Sequence, residues 1–292
     1  MLWKKTDVKF CWFNGSQSEI SSVFVKNLCS SVTHLKFIFN YCHWKKRLNF
    51  EKLCLQLKGK CPHLHTLILH RALFSVSLSS VIDLCNEFLP NLKVLILLKS
   101  VFDNECKERA FGGFPKLEVL DISECSNIGR SYKYVFTKMP YLKKINLFGT
   151  YETEYRWFWH DDNVSFLRQL ELLHLGNTSI CSRTFHILQN YAINLTELFL
   201  CWTELDDDAF VFNNSVFPLL KTVCLRRCRN LNCESIVSLV QSCELLQDVY
   251  IDLDMAESYT KHAVFVGDIA KLGIVKPIDN CHHSKIQDYL MV

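Results

Sequence analysis

The chain has 292 residues, 49% of them hydrophobic, with only 9 glycines and 6 prolines, enough apolar material for a large core and too little punctuation for a disordered or collagen-like polymer. Its 33 basic and 30 acidic residues leave a net charge of +3, spread along the whole length, which excludes an electrostatic footprint for nucleic acid. No apolar run approaches the roughly 20 residues of a membrane helix, and Lys4 and Lys5 precede no sustained apolar stretch of the kind that makes a signal peptide. The expectation is a soluble protein of the cytoplasm or nucleus, with no membrane and no nucleic acid among its partners, whose 15 cysteines stay reduced as small buried residues.

Taken in chain order, residues 1–28 carry no repeat and read as an N-terminal cap. A six-residue pattern of aliphatics, L-x-x-L-x-L, then begins weakly at Val32, Leu35 and Phe37 and becomes regular at Leu64, Leu67, Leu69; Leu92, Leu95, Leu97; and Leu117, Leu120, Ile122. It continues at Leu142, Ile145, Leu147; Leu170, Leu173, Leu175; Leu195, Leu198, Leu200; Leu220, Val223, Leu225; and Leu246, Val249, Ile251. The middle residues of these nine copies are separated by 32, 28, 25, 25, 28, 25, 25 and 26 residues. Between the copies lie short amphipathic helices, with apolar positions such as Leu78, Val81, Ile82 and Cys85, or Ile236, Val237 and Val240, on one stripe. Residues 255–292 have no repeat and read as a C-terminal cap or tail.

Three further columns share this register. Three residues before each copy stands an apolar residue: Cys29, Cys61, Leu89, Phe114, Met139, Leu167, Ala192, Phe217 and Cys243. Pro62, Pro90, Pro115, Pro140 and Pro218 occupy the next position, where a fixed φ and a missing N–H suit a chain leaving a helix for a strand. Three residues after each copy but the first come Ala72, Ser100, Cys125, Thr150, Thr178, Thr203, Cys228 and Asp254, mostly small groups able to satisfy buried loop backbone.

A repeat of 20 to 29 residues holding one short strand and one return segment cannot bury its own core, whereas a stack can. The fold expected is therefore an α/β leucine-rich-repeat solenoid, a horseshoe arc spanning residues 29–254, with parallel strands on the concave face and helices on the convex face.

The eighth copy, from Cys224 to Ile251, resembles the cysteine-containing class of leucine-rich repeat, with Cys228 and Cys243 in that class's two cysteine columns and Asn230, Leu231 and Ile236 at its loop and helix positions. That class is at home in the F-box/leucine-rich-repeat protein family. Leu2, Trp3, Lys4, Asp7 and Val8 likewise resemble the segment that follows the F-box in such proteins; the F-box itself is absent from these residues. The resemblance implies a substrate-recognition subunit of a cullin-RING (SCF-type) ubiquitin ligase that holds a target protein for degradation. A cullin adaptor would be a partner only if an F-box lies upstream. The alternative is a scaffold or inhibitor with no ligase link.

In each strand the residues flanking the central core positions face the concave surface, and these are the candidate protein-binding residues. They include Ile68, His70, Val94, Ile96 and Leu98; Asp121, Asn146 and Phe148; and His174, Phe199, Arg226 and Tyr250. Val94, Ile96 and Leu98 would form an exposed apolar patch, covered by a partner or by the tail. Trp157 and Trp159, in the insertion Tyr151–Asp162, either anchor an interface or pack on neighbouring helices. The basic groups His43–Arg47 and Arg226, Arg227 and Arg229 read as solvated surface, with an acidic or phosphorylated target as the other reading; Asp206–Asp208 reads as a helix start. Neither Cys281, His282 and His283 nor Cys224, Cys228 and Cys233 has the paired spacing of a zinc site, and no catalytic motif is present. No metal, cofactor or enzymatic activity is expected.

Overall fold

The computed structural model describes residues 10–15, 24–39, 47–103, 113–128, 136–150, 164–212, 216–265 and 273–277. It divides into two compact units, Met1–Leu142 and Lys143–Val292. The fold is α/β, with strands that follow one another in chain order and pair in parallel.

The first unit contains β1 (Phe10–Gly15), β2 (His34–Phe39), β3 (Thr66–His70), β4 (Val94–Ile96) and β5 (Val119–Asp121). The middle residues of the sequence pattern face one another across this sheet: Leu35 pairs with Leu67, Leu67 with Leu95 and Leu95 with Leu120. The second unit contains β6 (Lys144–Asn146), β7 (Leu172–His174), β8 (Glu197–Phe199), β9 (Thr222–Cys224), β10 (Asp248–Ile251) and β11 (Val275–Pro277). Its register runs Ile145 to Leu173 to Leu198 to Val223 to Val249. A one-residue slip would turn every aliphatic to the other face, so this alignment tests the pattern directly. All 27 of its positions are under a tenth exposed, 26 of them at 4% or less and Leu246 at 7%.

Both ends extend beyond the nine copies. Cys11 in β1 pairs with Leu35, and Val275 in β11 pairs with Val249. The tail read as patternless thus adds a further helix and strand, and Lys276 meets Asp248 across the last strand pair. The expectation that this tail covers the apolar face concerns residues that lie largely outside those described.

Among the described residues the helices are α1 (Phe50–Lys60), α2 (Leu78–Phe88), α3 (Ser182–Tyr191), α4 (Cys233–Ser242) and α5 (Leu253–Phe265). In α2 the predicted stripe Leu78, Val81, Ile82 and Cys85 is wholly buried. The Ser77 hydroxyl caps its start by accepting the Ser80 N–H at 3.3 Å, and Pro90, in the turn that follows, cannot continue it. In α4, Ile236 and Val240 are buried while Val237 is only half so. Single 3-10 turns stand at Val25–Asn27, Phe136–Lys138, Ser165–Gln169 and Asp207–Phe210. At the last of these the run Asp206–Asp208 supplies a start, but Val211 and Phe212 are poor helix formers that do not prolong it. Asp207 instead reaches the next repeat: its carboxylate accepts the Asn232 N–H at 2.9 Å, the Asn232 amide at 2.8 Å and the Ser235 hydroxyl at the N-terminus of α4, where negative charge is favoured.

The small-residue column behaves as its chemistry suggests. The hydroxyls of Thr150, Thr178 and Thr203 donate to the carbonyls of Leu147, Leu175 and Leu200 at 2.6, 2.6 and 2.7 Å. Cysteines reach one repeat further back: Cys228 donates to Leu200 O at 3.1 Å, and Cys125 to Leu97 O. Together they supply donors to carbonyls that, left buried without any partner, would cost about 1–3 kcal/mol each. The eleven cysteines whose side chains are described are free thiols. Burial raises the thiols of Cys54 and Cys125 well above their ordinary value and that of Cys228 to about 11, which leaves them poor nucleophiles.

Candidate protein-binding face

Within each unit the sheet brings that unit's predicted binding residues to one face, but seven of the twelve are closed off. Ile68, Ile96, Asp121, Asn146, His174, Phe199 and Arg226 are at most 8% exposed, while His70, Val94, Leu98, Phe148 and Tyr250 are partly accessible. The sequence reading of an open apolar patch at Val94, Ile96 and Leu98 therefore needs correction at its centre, because Ile96 is 3% exposed. Strands about 4.8 Å apart let large neighbours on adjacent rungs cover one another.

The buried polar members have local work. Asp121 accepts the Ser123 N–H at 2.8 Å, and Asn146 accepts the Phe148 N–H at 3.0 Å, so each carboxyl or amide oxygen folds back onto the chain two residues on. His174 lies between Phe148 and Phe199, with ring centroids 5.2 Å away on both sides, and its Nε2 is 3.9 Å from the Cys201 thiol. Arg226 is drawn to Asp252 at 3.5 Å, so it is no part of a solvated basic cluster. Arg47 is likewise engaged, through Asp103 and the Phe74 carbonyl. Trp157, Trp159, His43, Cys281, His282, His283 and the segment Leu2–Val8 lie outside the described residues.

A feature that sequence reasoning missed is more accessible. Two residues after seven of the nine copies the backbone turns left-handed: Arg71, Lys99 and Glu124 in the first unit, and Gly149, Asn177, Trp202 and Arg227 in the second, all have φ between 52° and 64°. Five of these N–H groups reach across to the next rung: Arg71 to Leu98 O, Lys99 to Ser123 O, Gly149 to Gly176 O, Asn177 to Cys201 O and Trp202 to Arg226 O, at 2.7–3.0 Å. Only glycine and, to a degree, asparagine adopt this geometry cheaply. Gly149 and Asn177 at one offset were the available signal; the bulky residues at the other rungs hid it. The result, in each unit, is a crest along the C-terminal ends of its strands. On it Lys99 pairs with Glu124 at 3.3 Å, and Arg227 lies over the exposed ring of Trp202 at 5.4 Å.

Two titratable groups of this face, His70 and Glu197, have shifted protonation. Burial, then the positive charges of Arg71, Lys99 and Lys36, lowers His70 from 6.5 to about 4. Burial raises Glu197 above its usual range, opposed by Lys144. Between about pH 6.5 and 4 the unfolded chain holds a proton on His70 that the folded chain refuses. Stability from this group is thus complete above the unfolded value and is lost as the pH falls. Since the ring is only half-buried, the expected loss is discounted to about 1–2 kcal/mol. Glu197 has the opposite sign, favouring the fold at low pH and ceasing to do so as the pH rises through its raised value. Urea denaturation of the wild type and His70→Gln across pH 4 to 7 should show a shallower slope in the variant; parallel slopes would refute the assignment.

Among the described residues, no helix is long and apolar enough to cross a membrane. No three His, Cys, Asp or Glu side chains among them group as metal ligands.

No protein-family model matches this chain, and none of the curated proteins matches it. Among solved structures it is similar to the crystal structure of the yeast Rad7 and Elc1 complex, at 15% identity over 96% of this chain and 80% of that one, with a TM-score of 0.37.

Proposed function

We propose that this protein is a non-catalytic target-binding subunit of a cullin-RING ubiquitin ligase of the SCF type, holding a target protein against its repeats while other subunits transfer ubiquitin. The reading takes the strands as the concave layer of a horseshoe and the crest at their ends as the rim that a target meets. The ligase part rests on the resemblance of the repeats to the cysteine-containing class. What supports target binding is one observation above the rest: Trp202, 46% exposed and capped by Arg227, stands on a rigid rung of the crest. Trp and Arg on rigid elements are the residue types that anchor protein interfaces.

The test uses the endogenous protein tagged at its C-terminus. Capture should recover the cullin adaptor together with targets whose abundance rises when the ligase is inhibited. The Trp202→Gly variant should keep the adaptor and lose the targets by roughly tenfold or more, as expected when an anchor worth about 2 kcal/mol is removed. Glycine is chosen because φ at this position is 64°, so the variant relieves strain while deleting the ring. Absence of the adaptor would sink the ligase reading in favour of a free-standing scaffold, and undiminished target recovery by Trp202→Gly would sink the binding surface.

A further inference from the structure

The geometry points to a helix of the target, with one acidic residue between two apolar ones on successive turns, as the partner that docks on Trp202, Arg227 and Leu253. This docking rests on the reading that the crest meets a target protein.

The three residues each lie two positions after the last core aliphatic of a copy, Leu200, Leu225 and Ile251, and so stand on successive rungs of the second unit. Backbone bonds hold the first two in place. The Trp202 N–H donates to Arg226 O at 2.8 Å and the Arg227 N–H to Asp252 Oδ2 at 2.7 Å. Leu253 opens α5 on the next rung and is 53% exposed. An accessible indole, guanidinium and leucine thus stand in sequence on backbone that has little freedom left to lose on binding.

Their spacing selects the form of the partner. Rungs about 4.8 Å apart put the three positions across about 10 Å. One face of an α-helix repeats every 5.4 Å or so, and three positions on successive turns cover about 10–11 Å. An extended strand presents one face only every other residue, about 6.8 Å, and three such positions cover about 14 Å. The helix keeps step with the rungs and the strand does not.

Charge selects the order of its residues. The Arg227 guanidinium lies over the Trp202 ring at 5.4 Å, an attraction that holds the cation against the indole. Its Nε is 3.8 Å from Asp252, a carboxylate that lies nearer to Arg226, at 3.5 Å. Among the described residues the Arg227 side chain, 43% exposed, makes no hydrogen bond. A planar fork in that state suits a carboxylate, and the apolar surfaces of Trp202 and Leu253 suit the residues one turn before and after it. Glu204 and Asp254, both exposed near the two ends of the row, repel a uniformly acidic segment and leave room for a single carboxylate among neutral neighbours.

The experiment follows the Trp202 indole N–H signal by NMR in the full 292-residue chain, assigned with Trp202→Phe. The probe is an alanine-based helical peptide of about 15 residues with leucine, glutamate and leucine on successive turns of one face. The expected result is a saturable shift, and binding about tenfold weaker when glutamine replaces the glutamate, the scale of one charge-assisted hydrogen bond. In Arg227→Gln the two peptides should bind alike, because the partner of the carboxylate is gone. Leu253→Ala should weaken the glutamate peptide by about fivefold. An unmoved Trp202 signal, equal binding of the two peptides to the wild type, or a preference for glutamate that survives Arg227→Gln would each overturn the proposal. If Arg227→Gln fails to fold, Arg227→Gly takes its place, since glycine suits the φ of 60° at this position. The probe needs neither adaptor nor target. A silent titration alongside loss of targets from Trp202→Gly would therefore remove the acidic helix and keep the crest as the binding surface. A positive titration with undiminished target capture would leave the peptide site standing and remove the target reading.

Discussion

Replacing Phe74 by alanine should destabilise the first unit by about 3–5 kcal/mol, the range for deleting a large aromatic from a core that cannot collapse around the gap. Phe74 is fully buried between two other buried rings, edge-to-face with Phe50 at 5.3 Å and stacked on Phe102 at 5.0 Å. Each such pair contributes about 0.5–1.5 kcal/mol beyond the area it buries. The backbone here has few alternatives, because the Phe74 N–H donates to Val101 O at 2.8 Å, and Leu48 and Phe74 meet through a single parallel bridge. In a stack of repeats the damage is felt mainly by adjacent rungs. Hydrogen exchange should therefore quicken in β3, α1 and α2 well before it does in α4. Leu55 on α1, 51% exposed, is the matched comparison, and its replacement by alanine should cost under about 0.5 kcal/mol. A loss below about 1 kcal/mol for Phe74→Ala would mean that the three-ring column is not a core.

The difference between these two residues also marks what the sequence can and cannot disclose. Repetition made the strand core legible: once Leu67, Leu95 and Leu120 were aligned by spacing, their register in the sheet followed, because only one face of a strand can point inward. Phe50, Phe74 and Phe102 contribute as much burial but recur at 24 and 28 residues, outside the six-residue pattern, and a period-2 or period-3.6 reading gives them no weight. β1 and β11 were invisible for a related reason, since an end strand has a neighbour on one side only and need not repeat the aliphatic signature.

The candidate face was legible as strand alternation and not in its exposure. Alternation correctly put Asp121, Asn146 and His174 opposite the leucines, but it carries no information about how closely adjacent rungs cover each other. A polar residue on that face is as well placed to accept the N–H two residues on, as Asp121 and Asn146 do, as to meet a partner. The crest is a property of φ rather than of side-chain type. At Arg71, Lys99, Trp202 and Arg227 the register of the repeat imposes a left-handed conformation that none of these residues would choose alone, so only Gly149 and Asn177 could announce it.

Gly176→Ala is the second substitution expected to have a large effect, and it tests the packing of this face more sharply than any deletion. At the equivalent place other repeats carry Leu98, Phe148 or Arg226, so nothing in the repeat itself demands glycine. The neighbours do. A methyl group on Gly176 would lie 2.7 Å from the Cys201 thiol, 2.8 Å from the Cys201 carbonyl oxygen and 2.9 Å from the His174 ring. His174 cannot retreat, being held between Phe148 and Phe199. The Cys201 carbonyl accepts the Asn177 N–H at 2.7 Å, so moving it breaks a rung of the crest beside Trp202. The expected cost is about 1–3 kcal/mol, the usual penalty for overpacking a filled site. In a Cys201→Ala background the cost should fall without vanishing, since the thiol clash is relieved and the carbonyl clash is not. Gly59→Ala supplies the opposite sign: a methyl there meets nothing within 4 Å inside α1, and should stabilise by about 0.5–1 kcal/mol. Equal melting temperatures for Gly176→Ala and the wild type would show that His174 and Cys201 have room to move, and the closed character of this face would have to be abandoned.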